Sequence, residues 1–229
     1  MLENTPMAML PHLLLRNLEN YYFYFMPKIK ICGLSREQDI EFANEAKPDF
    51  IGFVFAEKSK RFTDFKMAES LRKNLIKEIV PVGVFVNAKI DDIVSLYKNG
   101  IIDIIQLHGG ETDEYIEKLK NKCEAKIIRA LNLNTPSEPR TAIPLREGNC
   151  HYTLLDSKSP GSGLAFDWES LQGIDLSKNI FLAGGVSLEN IKEALKLNPF
   201  AIDVSSGAET GRVKDREKML RLVKVARCD

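Results

Sequence analysis

A cysteine closes the β-rich run KIKIC at Cys32, just before Gly33 and a charged stretch with helical spacing. A thiol held at the tip of a strand can serve as a base once it is ionised. Asp156 ends HYTLLD in the same way, ahead of the small-residue stretch SKSPGSG. A carboxyl group there suits a general acid if partial burial lifts its pKa. Arg61, in FAEKSKRF, carries the planar fork that matches a substrate carboxylate. His108, in QLHGGE, is either a rim histidine satisfied by its neighbours or a substrate contact, and spacing does not separate the two. Two further stretches suit an anion: Gly184–Gly185 in FLAGGVS, and Ser205–Ser206–Gly207 in DVSSG. Glycine lets backbone N–H groups come close to a phosphate. Each residue alone also has a plainer reading: a small buried hydrophobe for the cysteine, a helix cap for the aspartate, a solvated cation for the arginine, a tight turn for the glycines.

The elements that must hold these residues recur with a regular period. β-Rich runs lie at 28–33, 49–55, 80–86, 102–108, 125–131, 151–156, 179–184 and 200–206. Most are followed by helical spacing and a start signal, such as Ser35 with Gln38 three residues on, Thr63 or Asp64, Asn87, and Ser187. Gly100 reads as a helix stop. The fifth unit, with three prolines in LNTPSEPRTAIPLREGN, predicts a short or missing helix. Eight strands alternating with helices in about 200 residues define a short α/β chain, a single (β/α)₈ TIM barrel. An open doubly wound sheet fits less well, because a lone Gly33 follows the first strand where a glycine-rich turn belongs. Residues 1–26 differ in character and read as an N-terminal extension, with the barrel over 27–229.

A barrel makes a geometric claim: function sits at the carboxyl ends of the strands. The residues singled out above all fall at such tips. Strand alternation adds a second expectation. Lys30 and Cys32 lie two apart and share a face, so a Cys32 that faces the mouth puts Lys30 one layer below it, inside. A buried cation needs a partner, and Asp203 on the closing strand is in phase with Ser205. A Lys30–Asp203 ion pair beneath Cys32 follows, and the cation is expected to lower the thiol's pKa.

Composition narrows the class. Lys plus Arg and Asp plus Glu balance at 32 each, which gives no sign of a nucleic-acid groove. Cys32, Cys123, Cys150 and Cys228 are scattered, with no CxxC pair and no ligand-spaced histidines, which argues against a zinc site or a disulfide framework. No apolar run reaches the ~20 residues of a membrane span. The sequence therefore reads as a cytoplasmic protein acting on a small molecule, with no membrane or nucleic-acid partner, as monomer or homodimer.

The ordered set KICGL, FVF with S-x-R, GVFVN, QLHG, LLD with a GSG loop and FDW, LAGG, and DVSSG-x-E with G-x-x-KD resembles the phosphoribosylanthranilate isomerase family of tryptophan biosynthesis. The resemblance runs from about Lys28 to the last helix. It implies Cys32 as general base, Asp156 as general acid, Arg61 on the anthranilate carboxylate, and Gly184, Gly185, Ser205, Ser206 and Gly207 on the phosphate. It also implies an Amadori rearrangement of N-(5-phosphoribosyl)anthranilate, with no metal or cofactor because an iminium serves as electron sink. The family's glycine-rich turn after the acid's strand is here Pro160-Gly161-Ser162-Gly163, a stiffer version. Two rivals keep the barrel: the related phosphosugar isomerase of histidine biosynthesis, which uses an aspartate in place of Cys32, and a non-catalytic phosphate-binding barrel.

Overall fold

A computed structural model describes residues 26–132, 150–156, 171 and 174–228. Eight parallel strands follow one another in chain order and close into a barrel. They are β1 (Lys28–Cys32), β2 (Phe50–Val54), β3 (Val80–Phe85), β4 (Ile104–Leu107), β5 (Lys126–Asn132), β6 (Tyr152–Asp156), β7 (Ile180–Leu182) and β8 (Ala201–Val204). Among the described residues the α-helices are α1 (Glu37–Ala46), α2 (Phe65–Asn74), α3 (Ile90–Lys98), α4 (Asp113–Lys120), α5 (Ile191–Lys196) and α6 (Arg216–Cys228). After β8 comes a 3₁₀ turn, Ser206–Ala208, and a small hairpin of β9 (Glu209–Thr210) and β10 (Val213–Lys214). The expected N-terminal extension (but for Met26), the fifth helix and the Pro160 loop lie outside the described residues.

Each strand is apolar on both faces because a barrel buries both, one against the helices and one in the lumen. Ile29 and Ile31 of β1, Ile105 and Leu107 of β4, and Ile202 and Val204 of β8 pack outward in the main core. The residues between them turn inward, which puts Lys30, Cys32, Gln106 and Asp203 in the lumen. Closure of β8 on β1 pairs Lys30 directly with Asp203, and β1 on β2 pairs Cys32 with Gly52. The helices bury one stripe each, as Met219, Leu222, Val223 and Ala226 do on α6.

The helix boundaries differ from expectation in ways that matter at the rim. Arg36, not Ser35, caps α1, and Asp39 rather than Gln38 reaches back, accepting from the amides of Ser35 (2.9 Å) and Arg36 (3.1 Å). A carboxylate is the stronger acceptor at a helix start. Asp64 caps α2 through the Met67 amide at 2.8 Å. Lys89 takes the cap of α3, because Asn87 turns into the left-handed region (φ 50°) and accepts from Gly110 N–H instead. Gly100 ends α3 at φ 69°, as expected.

Candidate active site

Cys32 faces the mouth of the barrel in a small apolar layer with Val54 and Val84. Its position is set by two glycines. A Cβ on Gly52 would lie 2.7 Å from the Cys32 sulfur, so the neighbouring strand must lack one. Gly33 turns at φ 87°, and a Cβ there would meet Arg61 Cδ at 2.3 Å. The arginine stem therefore crosses directly over the turn that follows the cysteine. The Ser205 hydroxyl donates to the Cys32 carbonyl at 3.2 Å and ties the tip of β1 to the loop after β8.

Beneath the thiol, Lys30 is fully buried and its ammonium lies 2.9 Å from Asp203 Oδ2. The predicted ion pair is present. Burial pulls the Lys30 ammonium down, but Asp203 and Cys32 together outweigh it and raise its pKa. The expectation for the thiol is reversed. Burial pushes Cys32 up, and Lys30 pulls it down without overcoming the loss of water, so its pKa is raised. The physical reason is the loss of water around the buried thiol, the largest of these effects, to which the charge of Asp203 adds.

Across the lumen the same ammonium donates to Gln106 Oε1 at 2.9 Å. Gln106 Nε2 lies 2.8 Å from His108 Nδ1. His108 Nε2 is in turn 3.3 Å from Asp156 Oδ2. A continuous polar chain thus runs from beneath Cys32 to Asp156. The loop after His108 is fixed by Glu111, a buried carboxylate that accepts from the Asn87 amide (2.7 Å) and the Gly109 amide (2.9 Å).

Arg61 is gripped side-on by Glu209: Nε donates to Oε1 at 2.6 Å and Nη2 to Oε2 at 2.9 Å. Glu209 also accepts from the buried Lys214 at 2.7 Å, and Lys214 donates to the Ser205 carbonyl at 3.0 Å. Burial pushes Glu209 up, but Arg61 and Lys214 outweigh it and hold it below the usual carboxylate range. Two of the five N–H donors of Arg61 are engaged by Glu209, so its plane is fixed.

The glycine loops meet as expected. Gly184 and Gly185 adopt φ 93° and 76°. A Cβ on Gly207 would lie 2.0 Å from the Val186 carbonyl oxygen, which is why the loops after β7 and β8 can touch. The 3₁₀ turn begins at Ser206, and the first N–H groups of a helical turn have no acceptor within it.

One pocket of about 240 Å³ gathers these groups: Cys32, Arg61, His108, Asp156, Gly184, Gly185, Ser205 and Ser206 all line it, with Gln106 and Asp203 at its floor. Gly207 alone of the predicted residues does not, and lies behind the loop it lets close. Asp203 Oδ1 is buried without a hydrogen-bond partner, an acceptor left over at the pocket floor. A wider hollow of about 1030 Å³ adjoins it, lined by Phe55, Phe62 and Phe65 among others, and shares Ala56, Ser59 and Val86. Among the described residues, no group of three or more His, Cys, Asp or Glu side chains is placed to hold a metal ion, and no helix is long and apolar enough to cross a membrane.

Sequence reasoning missed Gln106, Glu209 and Lys214. Gln106 stood two residues before His108, on the same strand face. Glu209 and Lys214 flanked a Gly turn in the motif SSG-x-E…G-x-x-KD, a visible opposite-charge pair.

A (β/α)₈ barrel with a thiol, a carboxyl group and two glycine-rich loops in one pocket at the carboxyl ends of its strands has the layout of a TIM-barrel enzyme. The family model described as N-(5'phosphoribosyl)anthranilate (PRA) isomerase matches residues 29–225, and the chain belongs to that family. It is 45% identical over 207 residues to N-(5'-phosphoribosyl)anthranilate isomerase of Endomicrobium trichonymphae, covering 88% of this chain and 99% of that protein. It also resembles the crystal structure of phosphoribosyl anthranilate isomerase from Thermotoga maritima (TM-score 0.77, 33% identity, 88% of this chain and 98% of that one). A further similar structure is a phosphoribosyl anthranilate isomerase in complex with reduced 1-(o-carboxyphenylamino)-1-deoxyribulose 5-phosphate (TM-score 0.75, 31% identity, 88% and 98% covered).

Proposed function

We propose that this chain isomerises N-(5'-phosphoribosyl)anthranilate in tryptophan biosynthesis, with Asp156 as general acid and Cys32 as general base. The division of roles follows the family resemblance, and the observation that supports it is the single pocket lined by both groups, with an anion-suited loop pair beside them. The substrate phosphate sits against the N–H groups around Gly184, Gly185, Ser206 and Gly207, with the Ser205 hydroxyl nearby. Its carboxylate meets the edge of Arg61 that Glu209 leaves turned toward the pocket.

The reaction then runs as two proton transfers at fixed positions. Asp156 gives its proton to the furanose ring oxygen as the ring C–O bond breaks and the anthranilate nitrogen forms an iminium. Cys32 thiolate takes the C2 proton, and that electron pair neutralises the iminium to an enolamine. Ketonisation returns a proton to C1 and gives the deoxyribulose product. Lys30 beneath the sulfur favours its anion, and the iminium adds a second positive charge only once the ring has opened. Both groups rest on strand ends, which hold them to the tolerance that proton transfer needs.

The direct test follows loss of phosphoribosylanthranilate by its aromatic fluorescence, with chelator present. Turnover is the expected result. Turnover of the corresponding aminoimidazole ribotide instead would favour the histidine-pathway reaction, and binding without turnover would reduce the chain to a phosphate-ligand barrel.

A further inference from the structure

Gln106 is buried inside the barrel and belongs to no part of the reaction described so far. Its side-chain amide has two different ends, and the structure fixes which way they point. Lys30 Nζ, at 2.9 Å, is a donor with no lone pair, so the amide oxygen must face it. The NH₂ end is thereby turned to His108 Nδ1, at 2.8 Å. An NH₂ group can only donate there, so Nδ1 must be the acceptor and keep its lone pair. The ring proton is left to Nε2, which lies 3.3 Å from a carboxylate oxygen of Asp156. Every hydrogen bond then runs donor to acceptor, Lys30 to Asp203 on one side and Lys30 to Gln106 and Gln106 to His108 on the other, and the Nε2 proton faces Asp156.

We propose that Gln106 is a positioning residue that locks His108 in its Nε2–H tautomer, so that Asp156 faces a neutral imidazole at 3.3 Å rather than an imidazolium. This inference rests on the reading of Asp156 as general acid. An acid must hold a proton it can give. A second proton on the imidazole would put a positive charge against Asp156, favour its carboxylate, and disarm it. Placing that proton on Nδ1 would set two donors face to face at 2.8 Å. Among the described residues, the other charged and titratable groups facing this chain are Lys30 on β1 and Asp203 on β8, which offset each other, Cys32 above Lys30, and Arg61 and Lys214, both tied to Glu209. The ammonium of Lys30 therefore acts twice: once on the thiol, and once through Gln106 on the acid at the far side of the mouth. The two proton-transfer groups are held by one network.

The tautomer can be read in the wild-type protein by ¹⁵N-histidine NMR. The chain has three histidines, and His108→Asn identifies the signal by its loss. The expected spectrum at neutral pH shows an unprotonated Nδ1 and a protonated Nε2. Gln106→Glu supplies an acceptor to both neighbours, so it should move a proton onto Nδ1 and lower kcat by roughly 10²-fold, within the range a positioned acid contributes, with KM unchanged. A protonated Nδ1 in the wild type overturns the proposal even if Gln106→Glu does not fold. So does a Gln106→Glu protein whose histidine spectrum is unaltered, whether or not its kcat falls. Full activity in Asp156→Ala would instead sink the acid assignment and leave the tautomer result standing.

Discussion

The lower and upper halves of the barrel interior are built by the same strands with the same alternation, yet they are opposites. Below, Phe50, Tyr152, Phe181 and Phe200 fill the lumen, with ring centroids 5.1–5.5 Å apart in tilted, edge-on and stacked pairs. Lys28 and Lys126 lie over these rings at the outer edge, the ammonium of Lys28 5.4 Å from Phe200 and that of Lys126 6.0 Å from Tyr152. Above, β1, β4, β6 and β8 put Lys30, Gln106, His108, Asp156 and Asp203 into the same cylinder. The lower half is satisfied by packing alone. The upper half is closed by a thin apolar layer at Cys32, Val54 and Val84 and by a directional polar chain, and it leaves Asp203 Oδ1 unpaired. Burial of that kind opposes stability, so its persistence marks the half where chemistry is done.

The sharpest break in that comparison comes from removing a reacting group. Cys32→Ala and Asp156→Ala should each lower kcat toward the upper end of the ~10²–10⁴ range for proton-transfer groups, while the urea midpoint moves little. Phe181→Ala should do the reverse. It empties the centre of the aromatic plug and should cost about 3–5 kcal/mol of stability, with the activity of the folded fraction retained. Urea unfolding and turnover on the same samples test both. A Phe181→Ala protein that is stable but inactive would show that the two halves are not separable.

A subtler break acts on position alone. Gly52→Ala places a methyl group 2.7 Å from the Cys32 sulfur and 3.2 Å from its Cα, so the thiol must shift. Since a displacement of ~1 Å can cost about 10²-fold in rate, kcat should fall roughly ten- to a hundredfold with the reactive group still present. Labelling would confirm an intact thiol. Wild-type kcat in this variant would show that the sulfur's placement is not limiting.

Much of this was legible before any coordinates. Alternation is a local rule, so Lys30 beneath Cys32 followed from their spacing, and barrel closure supplied Asp203 across 173 residues. The strand tips likewise put Asp156, Arg61 and the two glycine loops at one rim, and the family resemblance singled them out among its polar groups. Gln106 was out of reach because its partner is on neither adjacent strand: Lys30 spans the lumen from β1 to β4, a contact that no pairing rule predicts. Glu209 was missed for a similar reason, since a two-residue hairpin strand leaves almost no periodic signal. The direction of the thiol's pKa was misjudged because it is a difference of opposing effects. Proximity to Lys30 was visible in sequence, but the depth of burial that outweighs it was not.

Cys32 finally joins the halves through pH, with opposite signs for rate and stability. Burial pushes its thiol above the ordinary 9.0, against the pull of Lys30. The folded protein therefore holds this proton more tightly than the unfolded chain does. Stability from this group is complete below 9.0 and is lost as pH climbs through the raised folded value. Lys30, raised above 10.5 because Asp203 and Cys32 outweigh burial, adds a loss of the same sign at higher pH. Tyr115, pushed up to about 12 by burial and Glu111, adds another. The rate of Cys32 alkylation by a thiol reagent, followed by mass spectrometry, moves the other way, since it grows as thiolate forms over the same range. Cys32→Ala should thus remove the earliest part of the alkaline stability loss and leave the later parts, read by urea titrations at stepped pH. Were the thiol lowered instead, that alkylation rate would already be flat between neutral pH and 9.0. A plateau there would show that the cation below the sulfur, and not the loss of water around it, decides its charge.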